Sequence, residues 1–128
     1  MKALTLTQPW ASLIAKRYKR IETRSWSTPY RGDLAIHAAR NLETMVFERY
    51  LPYPLPLSAI ICIVKLLGCV LMTEDLIRRW RQVYGQREIE MGNFAPGRYA
   101  WILGGVRELP TPLKCRGHLG LWDYTVPR

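Results

Sequence analysis

Apolar and polar positions along the chain alternate mostly in short runs, and those runs mark out strands before helices. Ala3 to Thr7 alternates with the period of a strand. Pro9 then stands where a helix takes its first turn, with Trp10, Leu13, Ile14 and Arg17 behind it at helical spacing. Lys19 to Arg24 predicts a second strand, with Ile21 and Thr23 on one face and Arg20, Glu22 and Arg24 on the other. Beyond the turn-rich Ser27–Gly32, Asp33 to Ala38 predicts a third strand whose Leu34, Ile36 and Ala38 face away from His37. Asn41 suits the cap of a short helix reaching about Tyr50, ended by a connector stiffened by Pro52, Pro54 and Pro56. The Ile- and Val-rich run Leu57–Met72 predicts a long buried strand, bulged or bent at Gly68. Thr73 caps a clear helix with Glu74 and Asp75 at its start, Leu76, Ile77 and Trp80 as its stripe, and Gly85 as its stop. Arg98 to Leu109 alternates again, and a last short strand falls in Leu119 to Tyr124. Five or six strands with two or three short helices, few of them in a β-α-β rhythm, predict an α+β fold built as a small mixed barrel.

Composition narrows the class. The 128 residues, about half of them hydrophobic, suffice for one domain spanning 1–128 with a core that needs no disulfide. Leu57–Met72 is 16 residues long with Lys65 near its middle, short of the roughly 20 apolar residues that cross a bilayer, so no membrane partner is expected. Three cysteines, no Cys-x-x-Cys and no charged-then-apolar leader point to a reduced, cytoplasmic protein. On a continuous strand Cys62 and Cys69 would point to opposite faces, and a bulge between them would change that parity. Cys115-x-x-His118 offers two ligands without a second pair, so neither metal nor cofactor is expected. The formal charge of +9 is not spread evenly. Residues 1–31 hold seven basic side chains and one acidic, residues 98–128 five and two, and the stretches between balance. If the two ends pair in the fold, one face is strongly positive. Arg outnumbers Lys 14 to 5, which suits bidentate phosphate contacts and base stacking, although a compositional bias toward Arg accounts for the same count. Trp10, Trp26, Tyr30, Tyr99 and Trp101 fall in the same basic segments, and about two of them are expected to face a ligand as stacking platforms.

The motifs resemble a known family. Leu4-Thr-Leu-Thr-Gln-Pro-Trp-Ala11, Lys19-x-x-Glu22-x-Arg24-Ser-Trp26, Tyr30-Arg-Gly32 and Ile36-His-Ala38 are similar to the ASCH domain, a relative of the PUA fold. Later pieces resemble it too: Glu90-x-x-x-Phe94, Gly97-Arg-Tyr-Ala-Trp101 and Arg116-Gly-x-Leu-Gly-Leu-Trp122. The family signature Gly-x-Lys-x-x-Glu-x-Arg is matched at Lys19, Glu22 and Arg24, but Arg17 stands where its glycine is expected. A glycine there permits a positive-φ turn, so Arg17 implies a different turn or a strained one. The resemblance implies a β-barrel whose cleft, beside the Lys-x-x-Glu-x-Arg segment, takes single-stranded RNA or a nucleotide-derived ligand. The binding set so implied is Gln8, Trp10, Lys19, Glu22, Arg24, Trp26, Tyr30, Arg31 and Arg98. A branch of bacterial relatives hydrolyses N4-acetylcytidine with a lysine, a threonine three residues later and a distant glutamate. Transferred to this chain, that set becomes Lys19, Glu22 and Glu90. A carboxylate at the nucleophile position can act as a base toward water but cannot do a hydroxyl's covalent chemistry.

Apart from any family, Lys19, Glu22 and Arg24 place two cations around one carboxylate, which keeps the carboxylate ionised and favours the charged form of Lys19. Such a fork can hold a phosphate on Lys19 or Arg24 while Glu22 accepts from a base amine such as that of cytosine. It fits equally a salt bridge that only orders the barrel mouth. His37 either points into the same cleft or is a satisfied core histidine, and Gly92–Gly97 reads as a loop that is a lid or a plain connector. Three functions stay open: an RNA- or nucleotide-binding module, a small hydrolase of amidohydrolase or ribonuclease type, and a peptide-binding interaction module. Oligomeric state is open between a monomer and a weak dimer.

Overall fold

The computed structural model describes residues 1–127. Strand β1 (Lys2–Gln8) enters helix α1 (Trp10–Ala15) through Pro9 at the N-cap, and β2 (Ile21–Arg24) and β3 (Gly32–Leu42) follow. Past a single 3-10 turn at Glu48–Tyr50 come β4 (Ala59–Leu71), α2 (Glu74–Tyr84), α3 (Gln86–Glu90), β5 (Tyr99–Lys114) and β6 (Leu121–Asp123). The six strands form one mixed sheet in the order β2-β5-β4-β3-β1-β6, with β1 and β3 parallel and every other neighbour antiparallel.

The inner face of that sheet carries the core. Leu4, Leu6, Leu34, Ile36, Ala38, Val64, Leu66, Trp101 and Leu103 pack together and against Ala11, Ile14 and Ala15 of α1. The chain ends do meet: β6 pairs with β1, bringing Trp122 opposite Ala3. The sheet is not closed into a barrel, because among the described residues no backbone ladder joins β2 to the far end. A side chain spans the opening instead, the Arg24 guanidinium on β2 donating to the Thr5 carbonyl on β1 at 3.0 Å.

Local chemistry explains most boundaries. Gln8 turns inward to cap α1: its Oε1 accepts from the Ser12 amide at 2.9 Å, and its Nε2 donates to Ser12 Oγ at 2.7 Å and to the Pro56 carbonyl at 2.8 Å. Thr73 Oγ1 accepts from the Leu76 amide, and Gly85 ends α2 with φ of 92°. The register of β4 against β5 shifts between Leu66 and Gly68, where the glycine signalled a bulge.

Three expectations need correcting. The helix expected from Asn41 to Tyr50 is absent, because β3 runs on to Leu42, which pairs with Gln8, and only the 3-10 turn follows. A neighbouring strand supplies those backbone hydrogen bonds, and Val46, Phe47 and Tyr50 are poor helix formers. Helix α3 was not anticipated, since five residues leave almost no periodic signal. Strand β5 continues through Pro110 and Pro112 to Lys114, and a register shift between Ile60 and Cys62 falls beside the prolines. No helix of the described residues is long and apolar enough to cross a membrane.

Arg17 adopts the glycine-type turn itself, with φ of 67°. The amides of Tyr18 and Lys19 donate back to the Leu13 carbonyl at 2.9 and 3.0 Å, so the turn aims Lys19 inward. A left-handed conformation at a residue with a Cβ costs about 1 kcal/mol. Arg17→Gly is therefore expected to be more stable than Arg17→Ala by about 1 kcal/mol in urea unfolding, the reverse of the usual order for exposed sites. Equal stabilities would show that the turn carries no such strain.

Candidate functional site

A cleft of about 630 Å³ opens where β2, the end of β1 and the loop after α3 converge. Its walls include Glu22, Thr23 and Arg24 from β2, Thr5 and Thr7 from β1, Trp10, Glu43, and Glu90 to Asn93 with Arg98. The short strand β2 sets the geometry. Its pairing with β5 places Glu22 opposite Trp101 and Arg24 opposite Tyr99, and the two charged side chains project to one side as the alternation predicted.

Lys19 lies behind this wall. Its side chain is 1% exposed, and Nζ donates to the Ile21 carbonyl at 2.7 Å and to the Met91 carbonyl. Glu22 Oε1 stands 3.6 Å away, and Glu22 Oε2 is 3.5 Å from Arg24 Nε. Both distances are ion pairs without good hydrogen-bond geometry. Among the described residues no hydrogen bond ends on the Glu22 carboxylate, and Arg24 Nε is buried without an acceptor. The lone pairs of Glu22 are thus held between two cations and remain available to a ligand.

The charge state of Lys19 departs from expectation. Burial pushes its pKa below the usual lysine range, outweighing the Glu22 and Glu88 carboxylates, which act in the opposite direction. A sequence shows the partners of a lysine but not how deeply it is sealed. Glu88, 2% exposed, is the second acid that sequence reasoning passed over. Its carboxylate accepts from the Arg20 amide at 3.0 Å and the Ile21 amide at 3.3 Å, fastening the Lys19 turn to α3.

Of the residues singled out from sequence, Trp10, Glu22, Arg24, Glu90 and Arg98 share the cleft. Gln8 is wholly buried in its capping role and does not line it. Trp26 packs edge-on to Trp101 at 4.8 Å, Tyr30 donates to the Asp33 carbonyl, and Arg31 donates to the Thr28 and Tyr30 carbonyls. Of the five aromatics in the basic segments, Trp10 alone lines the cleft. Its indole N–H donates to Glu43 at 2.9 Å while its ring meets Phe47 edge-on, so its position is fixed. Glu43, Thr23 and Asn93 were missed. Thr23 was assigned to the opposite strand face, and the other two lie in irregular segments that carry no periodic signal.

The Gly92–Gly97 segment is a pinned wall rather than a loose lid. The Asn93 amide donates to Thr23 Oγ1 at 2.9 Å, and Arg98 Nε donates back to the Asn93 carbonyl at 3.1 Å. A Cβ at Gly92 would come within 2.9 Å of the Phe94 ring and 3.3 Å of Lys19 Nζ, so only glycine allows that close approach. His37 points elsewhere, into a second cleft described below.

The charge of this cleft is not the basic one expected. Three carboxylates (Glu22, Glu43 and Glu90) face two guanidiniums (Arg24 and Arg98). Such a lining matches a ligand with both donors and acceptors better than a bare phosphate. Among the described residues no three His, Cys, Asp or Glu side chains cluster as metal ligands would.

A curled six-stranded mixed sheet over α1, with its cleft at the helix exit, is the PUA-like α+β architecture. The chain belongs to the ASCH domain family, whose model matches residues 4–112. It is 28% identical over 133 residues to mouse Activating signal cointegrator 1, covering 93% of this chain but 21% of that protein. A 35-residue stretch is 57% identical to human Activating signal cointegrator 1, covering 27% of this chain and 6% of that protein. The chain thus spans about a fifth or less of these curated relatives. In fold it is similar to the ASCH protein of Zymomonas mobilis, with TM-score 0.53, 15% identity and coverage of 88% of this chain and 72% of that one. A serine-to-alanine variant of that protein matches at TM-score 0.58 and 16% identity, with the same coverage.

The lowered pKa of Lys19 has a signature in stability. Below its folded pKa both states are protonated and the cost of burying the charge is fully present. Between that pKa and 10.5 the unfolded chain binds more protons, so unfolding free energy rises with pH. Wild type is therefore expected to gain stability relative to Lys19→Met as pH approaches 10.5 in urea titrations. Parallel profiles for the two proteins would rule out a depressed pKa.

Proposed function

We propose that residues 1–128 form one ASCH domain that binds single-stranded RNA or a nucleotide-derived ligand by taking one unstacked base into the Glu22 cleft. The carrying observation is the under-bonded Glu22 carboxylate, held between Lys19 at 3.6 Å and Arg24 at 3.5 Å and open to the cleft. A carboxylate so placed accepts from the exocyclic amine of a base, cytosine being the simplest fit. Arg24 and Arg98 supply donors for the base carbonyl or ring nitrogen, and the fixed Trp10 ring supplies a stacking face. Lys19 acts from behind as a buried positioning charge. The free thiols of Cys62, Cys69 and Cys115 accord with a cytoplasmic setting, and burial pushes the Cys62 thiol up to about 12.

A second reading, hydrolysis of an N4-acylated cytidine, draws on one observation. A buried lysine with a lowered pKa beside a carboxylate is the kind of group that moves protons. Against it stands the occupancy of Lys19 Nζ by two backbone carbonyls, which turns it away from the cleft.

Glu22→Ala is expected to weaken binding of a cytidine-rich single-stranded RNA about tenfold, with the salt dependence of the remaining binding unchanged. Fluorescence titration across salt reads this, and N4-acetylcytidine turnover is assayed on the same samples. Unchanged affinity in Glu22→Ala sinks the base-reading site. Turnover by wild type that is lost in both Glu22→Ala and Lys19→Ala moves the assignment to the hydrolase.

A further inference from the structure

A second cleft, of about 830 Å³, lies on the other side of Thr5, a residue that borders both. Its walls come from the end of β3, Ser58 before β4, and the segment after β5, and they differ sharply in charge from the first cleft. Arg40, Lys114 and Arg116 line it together with His37 and His118, and no carboxylate does. Several basic side chains elsewhere are paired with acids: Lys2 with Asp123, Lys16 with Glu108, Lys65 and Arg107 with Asp33. Among the described residues neither Arg40 nor Arg116 has an ion-pair partner, and both are exposed.

The segment carrying Arg116 is built into place. A Cβ on Gly117 would fall 2.7 Å from Thr5 Oγ1 and 2.7 Å from His37 Nδ1, so the glycine lets the backbone press onto β1 and β3. His37 Nε2 lies 2.8 Å from the Cys115 carbonyl, which assigns the ring proton to Nε2. Its Nδ1 is buried with no partner, although His37 is 2% exposed.

We propose that this second cleft holds the sugar–phosphate backbone of the RNA strand whose base enters the Glu22 cleft. The proposal rests on the base-reading function above and adds a division of labour. A strand crossing β1 at Thr5 puts its base against carboxylates and its adjoining phosphates against Arg40, Lys114 and Arg116. An array of cations without acids suits phosphodiester oxygens, whereas the first cleft, with three carboxylates, repels them.

The test compares wild type with the double variant Arg40→Ala/Arg116→Ala, two exposed side chains whose removal leaves the folded core intact, as thermal unfolding checks. The probes are free cytidine, which fills the first cleft only, and a hexacytidylate RNA, which spans both. The double variant is expected to bind cytidine as wild type does but to bind the hexamer about tenfold more weakly at low salt. Its log–log salt slope is expected to fall by about 1.4, at roughly 0.7 per single-strand phosphate contact. An unchanged hexamer affinity and slope overturns the proposal. Should wild type fail to bind cytidine while the hexamer still loses affinity in the double variant, the base-reading function falls and the backbone site stands.

Discussion

A buried ammonium organises this protein. Lys19 is sealed from solvent at the exit of α1, and its Nζ is shared between the carbonyls of Ile21 in β2 and Met91 after α3. Removing a charge from water costs several kcal/mol unless partners replace the hydration. Here the replacements come from two segments, β2 just after Lys19 and α3 with the residue that follows it, about 70 residues on. Two carbonyls take its hydrogens, while Glu22 and Glu88 supply the compensating charge. Satisfying that one group therefore docks α3 and its loop against β2, and the walls of the first cleft follow from the docking.

The same arrangement explains why Glu22 is free to act. A carboxylate that is 8% exposed normally has its oxygens tied up by donors. Lys19 and Arg24 instead spend their well-aligned hydrogen bonds on carbonyls, of Ile21 and Met91 for the lysine and of Thr5 for the arginine. Glu22 receives their charge without their best geometry. Its acceptor positions thereby stay open beside two cations, a combination that a tight bidentate salt bridge would destroy. The Arg24 bond to Thr5 also spans the gap in the sheet, so cleft formation and sheet curling share one side chain.

Strands were legible because each has one buried face: Leu4 and Leu6, Leu34 and Ile36, and Trp101 and Leu103 all enter the common core as their alternation required. The Thr73 helix was legible from its caps and stripe. Asn41 misled because cap chemistry is local, whereas the strand that claims it is set by pairing with β1 across the sheet. Gln8 looked like a surface contact in a motif, yet its amide holds the start of α1 together; a polar residue in a motif is as well explained by capping as by binding. Glu22 and Arg24 of the Lys-x-x-Glu-x-Arg segment line a cleft, but the spacing told neither the depth of Lys19 nor the charge of the walls. The direction of the Lys19 shift depends on burial supplied by Met91 and Gly92, over 70 residues away.

Net charge was the least informative reading taken alone. The excess at the two chain ends suggested one positive face around the signature motif, and the ends do pair through β1 and β6. The first cleft nevertheless gathers acids from outside those ends, Glu43 from the loop after β3 and Glu90 from α3. Exposed cations gather instead beyond Thr5, where Arg40 from the balanced middle joins Lys114 and Arg116 from the C-terminal segment. Field strength in a cleft depends on which charges share its low-dielectric walls, not on the total carried by the chain. For the proposed RNA ligand, two adjoining clefts of different charge would favour one orientation: reversing it would set phosphates against Glu22, Glu43 and Glu90, a like-charge contact that works against the wrong pose as the cations of the second cleft work for the right one.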